Sequence, residues 1–167
     1  MKIVIPIVAG IGNALLAVPM VRQIKRFKPD AQIFIAARID AMAEPFRRLP
    51  EVAEVFVTGK ETKGLLRGIA WTRRKKADVF LIPFPSNRWQ YSMLALVSGA
   101  QRKVLHSYPV GTLSALGFLK FDRLPAVRGL HDVEQNLQLL TKLGIVPDPS
   151  EKPSFALNEN DRQQADE

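Results

Sequence analysis

The sequence predicts a doubly wound α/β fold, a mostly parallel Rossmann-like sheet, on three observations. From Lys2 to His106, short β-branched runs alternate with helical stretches. The links between them are short, so consecutive strands run parallel through right-handed crossovers. The first run also ends in a glycine turn that opens a helix, as the first strand of such sheets does.

The opening run, Lys2 to Val8, is short and β-branched, the pattern of a strand buried on both faces. No charge occurs between Ile3 and Val21, which is also how a signal peptide or a membrane span reads. Pro6, Gly10, Gly12, Asn13 and Pro19 argue against a helix in lipid, and a second strand follows too closely for a signal peptide. Ala9-Gly10-Ile11-Gly12 supplies two residues free to take positive φ, with Asn13 as the expected N-cap. Leu15, Leu16, Val18, Val21 and Ile24 then recur at helical spacing, and Arg22, Lys25, Arg26 and Lys28 complement the helix dipole at its far end. Pro29-Asp30 stops the helix.

Further along, Ala31 to Ala37 reads as the second strand and Asp40 to Arg48 as a short helix. Val52 to Val57 is a third strand, and Glu61 to Lys75 a helix expected to turn Leu65, Leu66, Ile69 and Ala70 inward. Asp78 to Ile82 is a fourth strand, Trp89 to Val97 a helix and Gln101 to His106 a fifth strand. Residues 108–129 have no clean period and read as loop with a helical turn or two. His131 to Leu143 is a helix with Val133, Leu137, Leu140 and Leu143 on one face and Gly144 at its C-cap. Residues 1–146 form one predicted domain. Residues 147–167 have a linker composition followed by polar residues, which read either as a frayed tail or, in the preferred reading, as the first turns of a second domain.

At 167 residues the chain has the length of one domain. There is no cysteine, so no disulfide framework and no thiolate site, which suits a reducing cytoplasm. His106 and His131 are the two histidines, too few for a histidine-based metal centre. The net charge of +8 favours an acidic partner: nucleic acid, anionic lipid, phosphorylated sugar or nucleotide.

Parallel α/β sheets bind ligands at the carboxyl ends of their strands, and a glycine turn opening a helix presents free N–H groups to an anion. Here the turn reads G-x-G-x-x-L and lacks the third glycine of the dinucleotide fingerprint. Arg38 stands where an acidic residue would take a ribose hydroxyl. An NADP-binding domain of an oxidoreductase tolerates that arginine and stays open as an alternative, as does a basic polyanion-binding module.

The pattern G-[IL]-G-[DN]-x-[LI]-x-x-x-P, followed by "FKPDAQIFIAA", resembles the N-terminal domain of glycosyltransferase family 9, the ADP-heptose:lipopolysaccharide heptosyltransferases. "LPEVAEVFV" (49–57), "ADVFLIPFPSNRWQYSMLALVSGAQRKV" (77–104) and "HDVEQNLQLLTKLGI" (131–145) fit the same family in the same order. The resemblance implies the acceptor-side half of a two-domain GT-B enzyme. A nucleotide sugar, ADP-heptose-like, would be gripped by a C-terminal domain starting near Pro153, and the acceptor would be a lipopolysaccharide core or related glycan or glycolipid. It implies no cofactor or metal in this chain, no nucleic acid as partner, no sugar transfer by this half alone, and a cytoplasmic location with contact at the inner-membrane surface. The family's turn carries an aspartate, proposed as the base, where this chain has Asn13. A neutral amide takes no proton, so Asn13 is left to orient an acceptor hydroxyl or cap the helix.

Gly10, Gly12 and Asn13 are thus the first group of acceptor-site candidates, with Asn13 at the catalytic position. Ser86, Asn87 and Arg88 follow the fourth strand, where Arg88 suits a phosphate or carboxylate. His106 ends the fifth strand and is expected to point toward the same rim, while His131 is expected to cap or pack. From Lys60 to Lys76 there are seven basic residues and one acidic, Glu61, with Trp71 among them, a stretch suited to anionic lipid or an acidic acceptor. No aromatic residues interleave with the cations as a single-strand nucleic-acid groove requires.

Overall fold

The computed structural model describes residues 1–108, 116 and 118–154. The strands are β1 (Lys2–Ile7), β2 (Gln32–Ala37), β3 (Val52–Val57), β4 (Val79–Leu81), β5 (Arg102–Ser107) and β6 (Asp122–Pro125). The helices are α1 (Ile11–Phe27), α2 (Asp40–Arg47), α3 (Thr62–Lys75), α4 (Trp89–Val97) and α5 (Asp132–Gln138), the last continued by a 3-10 turn over Leu139–Leu143. The six strands form one sheet in the order β3-β2-β1-β4-β5-β6, and every pairing is parallel.

The predicted strands and helices are all present, and β6 is added within the stretch read as loop. Asp122-Arg123-Leu124-Pro125 holds one aliphatic side chain and a proline, so it carries no strand pattern. A strand at a sheet edge tolerates a residue without a backbone donor. Residues 109–115 and 117 of that stretch, and the polar turns expected after residue 154, lie outside the described residues.

One face of the sheet packs on α1, α2 and α5. Ile3, Ile5, Ile33 and Ile35 meet Val18, Val21, Ile24, Phe46 and Leu137 there, all wholly or nearly wholly buried. The predicted inward face of the last helix is correct: Val133, Leu137, Leu140 and Leu143 are buried, and Gly144 takes a left-handed conformation at φ 71°. His131 caps α5, its Nδ1 accepting from the Val133 N–H at 3.3 Å while Glu134 accepts from the His131 N–H.

The opposite face is covered by α3 and α4, and there the sequence reading of α3 fails. Leu65 and Leu66 are about half exposed, at 49% and 61%, and Ala70 is also exposed. The buried side of α3 is Gly64, Gly68, Trp71 and Thr72. A Cβ on Gly64 would lie 1.8 Å from the Thr58 carbonyl oxygen, so the two glycines let the helix lie directly on the end of β3. Trp71 then supplies the packing that the leucines do not. It stacks on Phe56 at 5.2 Å, meets Phe34 edge-on, and donates through Nε1 to Glu54 at 2.7 Å. Lys75 pairs with the same carboxylate.

The first residues after the predicted domain end lie along α1. Gln23 is buried and holds the backbone of Asp148 in both directions, at 2.6 and 2.9 Å, while Arg26 pairs with Asp148 and Glu151.

Candidate functional site

β1 pairs with β2 along its whole length but with β4 only at Ile3 and Val4. Pro6 has no N–H to offer a second neighbour, and beyond Leu81 the backbone N–H of Ile82 bonds to Val104 on β5 instead. The two central strands therefore part at their carboxyl ends. This is also where the strand order reverses, the usual ligand position in open parallel sheets. The resulting crevice is lined by Pro6 to Ala9 and Asn13 on one side, and by Ile82 to Pro85 and Tyr91 on the other.

Gly10 makes the turn, at φ 136°, and occupies the N-cap position of α1. Asn13 is therefore inside the first turn and is not the cap, a correction to the sequence reading: the helix begins three residues earlier because Gly10 alone reverses the chain. The Asn13 amide instead donates back to the Ala9 carbonyl at 3.3 Å, and α1 has neither a side-chain cap nor an acidic residue in its first turn. Gly12 lies within the helix, and a Cβ placed there meets nothing within 4 Å. Only Gly10 uses the conformational freedom that both glycines were expected to supply.

Across the crevice, Ser86 is buried, its N–H donating to the Tyr108 hydroxyl at 2.6 Å. Asn87 and Arg88 are exposed. His106, expected at the rim, is wholly buried, with Nε2 3.1 Å from the Gln135 carbonyl and the Phe84 ring edge-on against the imidazole. Asn136, also fully buried, accepts from the Phe84 N–H at 2.7 Å and donates to the Leu16 carbonyl at 3.1 Å. It thus ties the loop after β4 to α1. The structure brings Asn13 together with Phe84, Pro85 and Tyr91, and places Ser86 and His106 beneath them as supports.

Burial holds the His106 pKa below its ordinary 6.5, because the imidazolium has no solvent around it. The neutral form is favoured in the folded chain, so stability is full above pH 6.5 and is lost as the pH falls below that value. Urea unfolding between about pH 8 and pH 5 is expected to show this decline, and a His106→Gln variant, which keeps a donor but does not titrate, to show a shallower one. Equal slopes in the two proteins would contradict the assignment.

A second opening adjoins the crevice through Val8 and Tyr91. It is a groove of about 530 Å³ between α3 and α4, within the range of small-molecule sites. Arg38, Lys60 and Arg88 line it with one carboxylate, Glu61. Both Arg38 and Arg88 act on the Tyr91 hydroxyl, whose pKa burial raises and whose ionised form the two guanidiniums favour. In the sequence Arg38 reads as a missing acidic residue that an NADP-binding domain tolerates, and Lys60 only as part of a charge run. What marks them as a group is that β2, β3 and the loop after β4 end at the same rim. The rest of the basic stretch does not join them: Lys75 is paired with Glu54 and lies over the Phe34 and Trp71 rings, at the far end of α3. Among the described residues no group of three or more histidines and carboxylates converges as a metal site, and no helix is long and apolar enough to cross a membrane.

No protein-family model matches the sequence, and no curated protein does. Solved structures do match. The glycosyl transferase family 9 protein from Veillonella parvula DSM 2008 superposes with a TM-score of 0.74 at 18% identity, over 99% of this chain and 47% of that one. ADP-heptose LPS heptosyltransferase II of E. coli gives 0.73 at 18% identity, over 98% and 49%. E. coli heptosyltransferase WaaC with ADP gives 0.73 at 14%, over 91% and 50%. The chain has the fold of half a heptosyltransferase. It spans about half the length of each of these structures, and at these identities the likeness establishes architecture, the Rossmann-like α/β unit of GT-B enzymes.

Proposed function

We propose that this chain is the acceptor-side half of a heptosyltransferase-like glycosyltransferase, covering residues 1–146, with residues 147–167 leading toward a nucleotide-sugar-binding half. The observation that carries the reading is the rim of Arg38, Lys60 and Arg88 beside the β1/β4 crevice, in a fold shared with heptosyltransferases. Guanidinium groups fork onto carboxylates and phosphates, so three cations against one acid suit an acidic saccharide such as a lipopolysaccharide core.

In this reading Gly10 lets the acceptor approach the backbone, the uncapped first turn of α1 faces it with N–H groups, and Asn13 orients a hydroxyl. Asn13 supplies no base, so the proton must leave through another group. The donor, an ADP-heptose-like nucleotide sugar, meets the other half. Asn87 and Arg88 contact the acceptor directly, whereas Ser86 and His106 hold the loop that presents them. An oxidoreductase domain has only Arg38 in its favour, since Leu15 occupies the place of the third glycine.

Titrating the ¹⁵N-labelled chain with a deacylated core oligosaccharide is expected to shift the amides of residues 10–13, 38 and 87–91. Arg38→Ala and Arg88→Ala are each expected to weaken binding about tenfold or more, the loss of one charged hydrogen-bond set. Shifts confined to the opposite, amino-terminal ends of the strands would contradict the proposal.

A further inference from the structure

The face of the sheet bearing α3 and α4 is not closed. α3 buries Gly64, Gly68, Trp71 and Thr72, and α4 buries Ser92 and Ala95, so most aliphatic side chains of both helices are exposed or only half-buried. Five of these line the 530 Å³ groove: Leu65 and Ile69 on α3, and Met93, Leu94 and Val97 on α4. Leu65 and Met93 are 49% and 36% exposed, and Trp89, at the same groove, is 50% exposed. Isolated exposed leucines are ordinary, but apolar walls facing each other across a gap are not. One end of this groove carries Arg38, Lys60 and Arg88, none of which forms an ion pair with Glu61, its one acidic residue.

We propose that the groove is a hydrocarbon subsite, taking the alkyl chain of an anionic amphiphile whose phosphate or carboxylate rests on Arg38, Lys60 and Arg88. The apolar walls match a chain, and the cations at one end match its acidic head, so a single molecule satisfies both parts of the groove. The head-group half of the proposal rests on the acidic-ligand reading above; the chain half does not.

The test follows Trp89 fluorescence in the Trp71→Phe variant of the whole chain, titrated with octyl, decyl and dodecyl phosphate below their micelle concentrations and with inorganic phosphate. Affinity is expected to rise about fourfold for each added methylene, the increment of hydrocarbon transfer. In a Leu65→Gln/Met93→Gln variant, whose substituted side chains are too exposed to threaten the fold, that dependence is expected to flatten while phosphate binding stays. Arg38→Ala is expected to weaken every chain length by the same factor. Affinity independent of chain length, or a dependence that survives in the double variant, overturns the proposal. So does binding to phosphatidylglycerol vesicles without binding to the monomeric amphiphiles, which would make the occupant a bilayer surface. A dimer in gel filtration that the double variant dissolves also overturns it, since a second copy would then fill the groove. Chain-length dependence in a protein that ignores the core oligosaccharide would leave this subsite standing and remove the acceptor reading.

Discussion

Gly64→Ala is expected to destabilise the chain by about 3 kcal/mol or more, the upper range for overpacking against atoms that cannot turn aside. The new methyl group would sit 1.8 Å from the Thr58 carbonyl oxygen and 2.9 Å from its carbon. Both atoms belong to the backbone at the end of β3, so α3 has to lift away from the sheet. That movement separates Trp71 from Phe56 and Glu54, which adds to the cost. With total stabilities of about 5–15 kcal/mol for domains of this kind, such a loss removes about a fifth or more of the total. Gly68→Ala is a milder case: its Cβ meets the Thr58 Cγ2 at 2.6 Å, and a side-chain methyl is able to give. Urea unfolding of the two variants should rank them in that order. A Gly64→Ala chain as stable as the parent would mean that α3 does not lie on the end of β3.

The second large effect is expected at Asn136. Its amide satisfies the Phe84 N–H and the Leu16 carbonyl, and the side chain is fully buried. Asn136→Ala leaves both backbone groups without a partner and without water, a cost of about 2–6 kcal/mol at 1–3 kcal/mol per group. Gln138→Ala, on the same helix but outside this network, is expected to stay within about 0.5 kcal/mol of the parent. Because Asn136 fixes the loop from Phe84 to Arg88 against α1, its loss should also weaken ligand binding in whatever fraction remains folded. Equal stability of the two variants would remove Asn136 from this role.

What the sequence makes legible follows from which physical signal each element carries. β1 and β2 are β-branched runs between turn residues, and their limits match the reading closely, because burial on both faces leaves no other pattern. β3, a half-buried edge strand, is legible from Val52, Val55 and Val57 between its turns. The last helix is equally clear, its apolar face returning every three or four residues to Val133, Leu137, Leu140 and Leu143. α3 misleads because its buried face is made of Gly64 and Gly68, and a glycine contributes nothing to a hydrophobic pattern even when close approach is its purpose. The G-x-x-x-G spacing is the available signal, and the two leucines beside it outweigh it. β6 gives no signal, being an edge strand of four residues with one leucine and a proline.

The candidate site is legible as a set of loops and not as a set of side chains. Glycine turn, loop after β4 and end of β5 do meet at one end of the sheet, as parallel topology requires. Which residue of each loop faces outward depends on partners far away in the chain. Ser86 turns to Tyr108, and His106 to Gln135, leaving Arg88 and the unforeseen Arg38 and Lys60 at the surface. Asn13 depends on where α1 begins, and a one-glycine reversal at Gly10 moves it from the cap into the first turn.

The most direct measurement is the dissociation constant of the deacylated core oligosaccharide for the parent chain and for an Arg38→Ala/Arg88→Ala double variant, with NADPH titrated into the same two proteins. Binding of the oligosaccharide to the parent, a loss of about a hundredfold in the double variant at two charged hydrogen-bond sets, and no binding of NADPH is the predicted result. Tight NADPH binding that the double variant abolishes, or oligosaccharide affinity equal in both proteins, would contradict it.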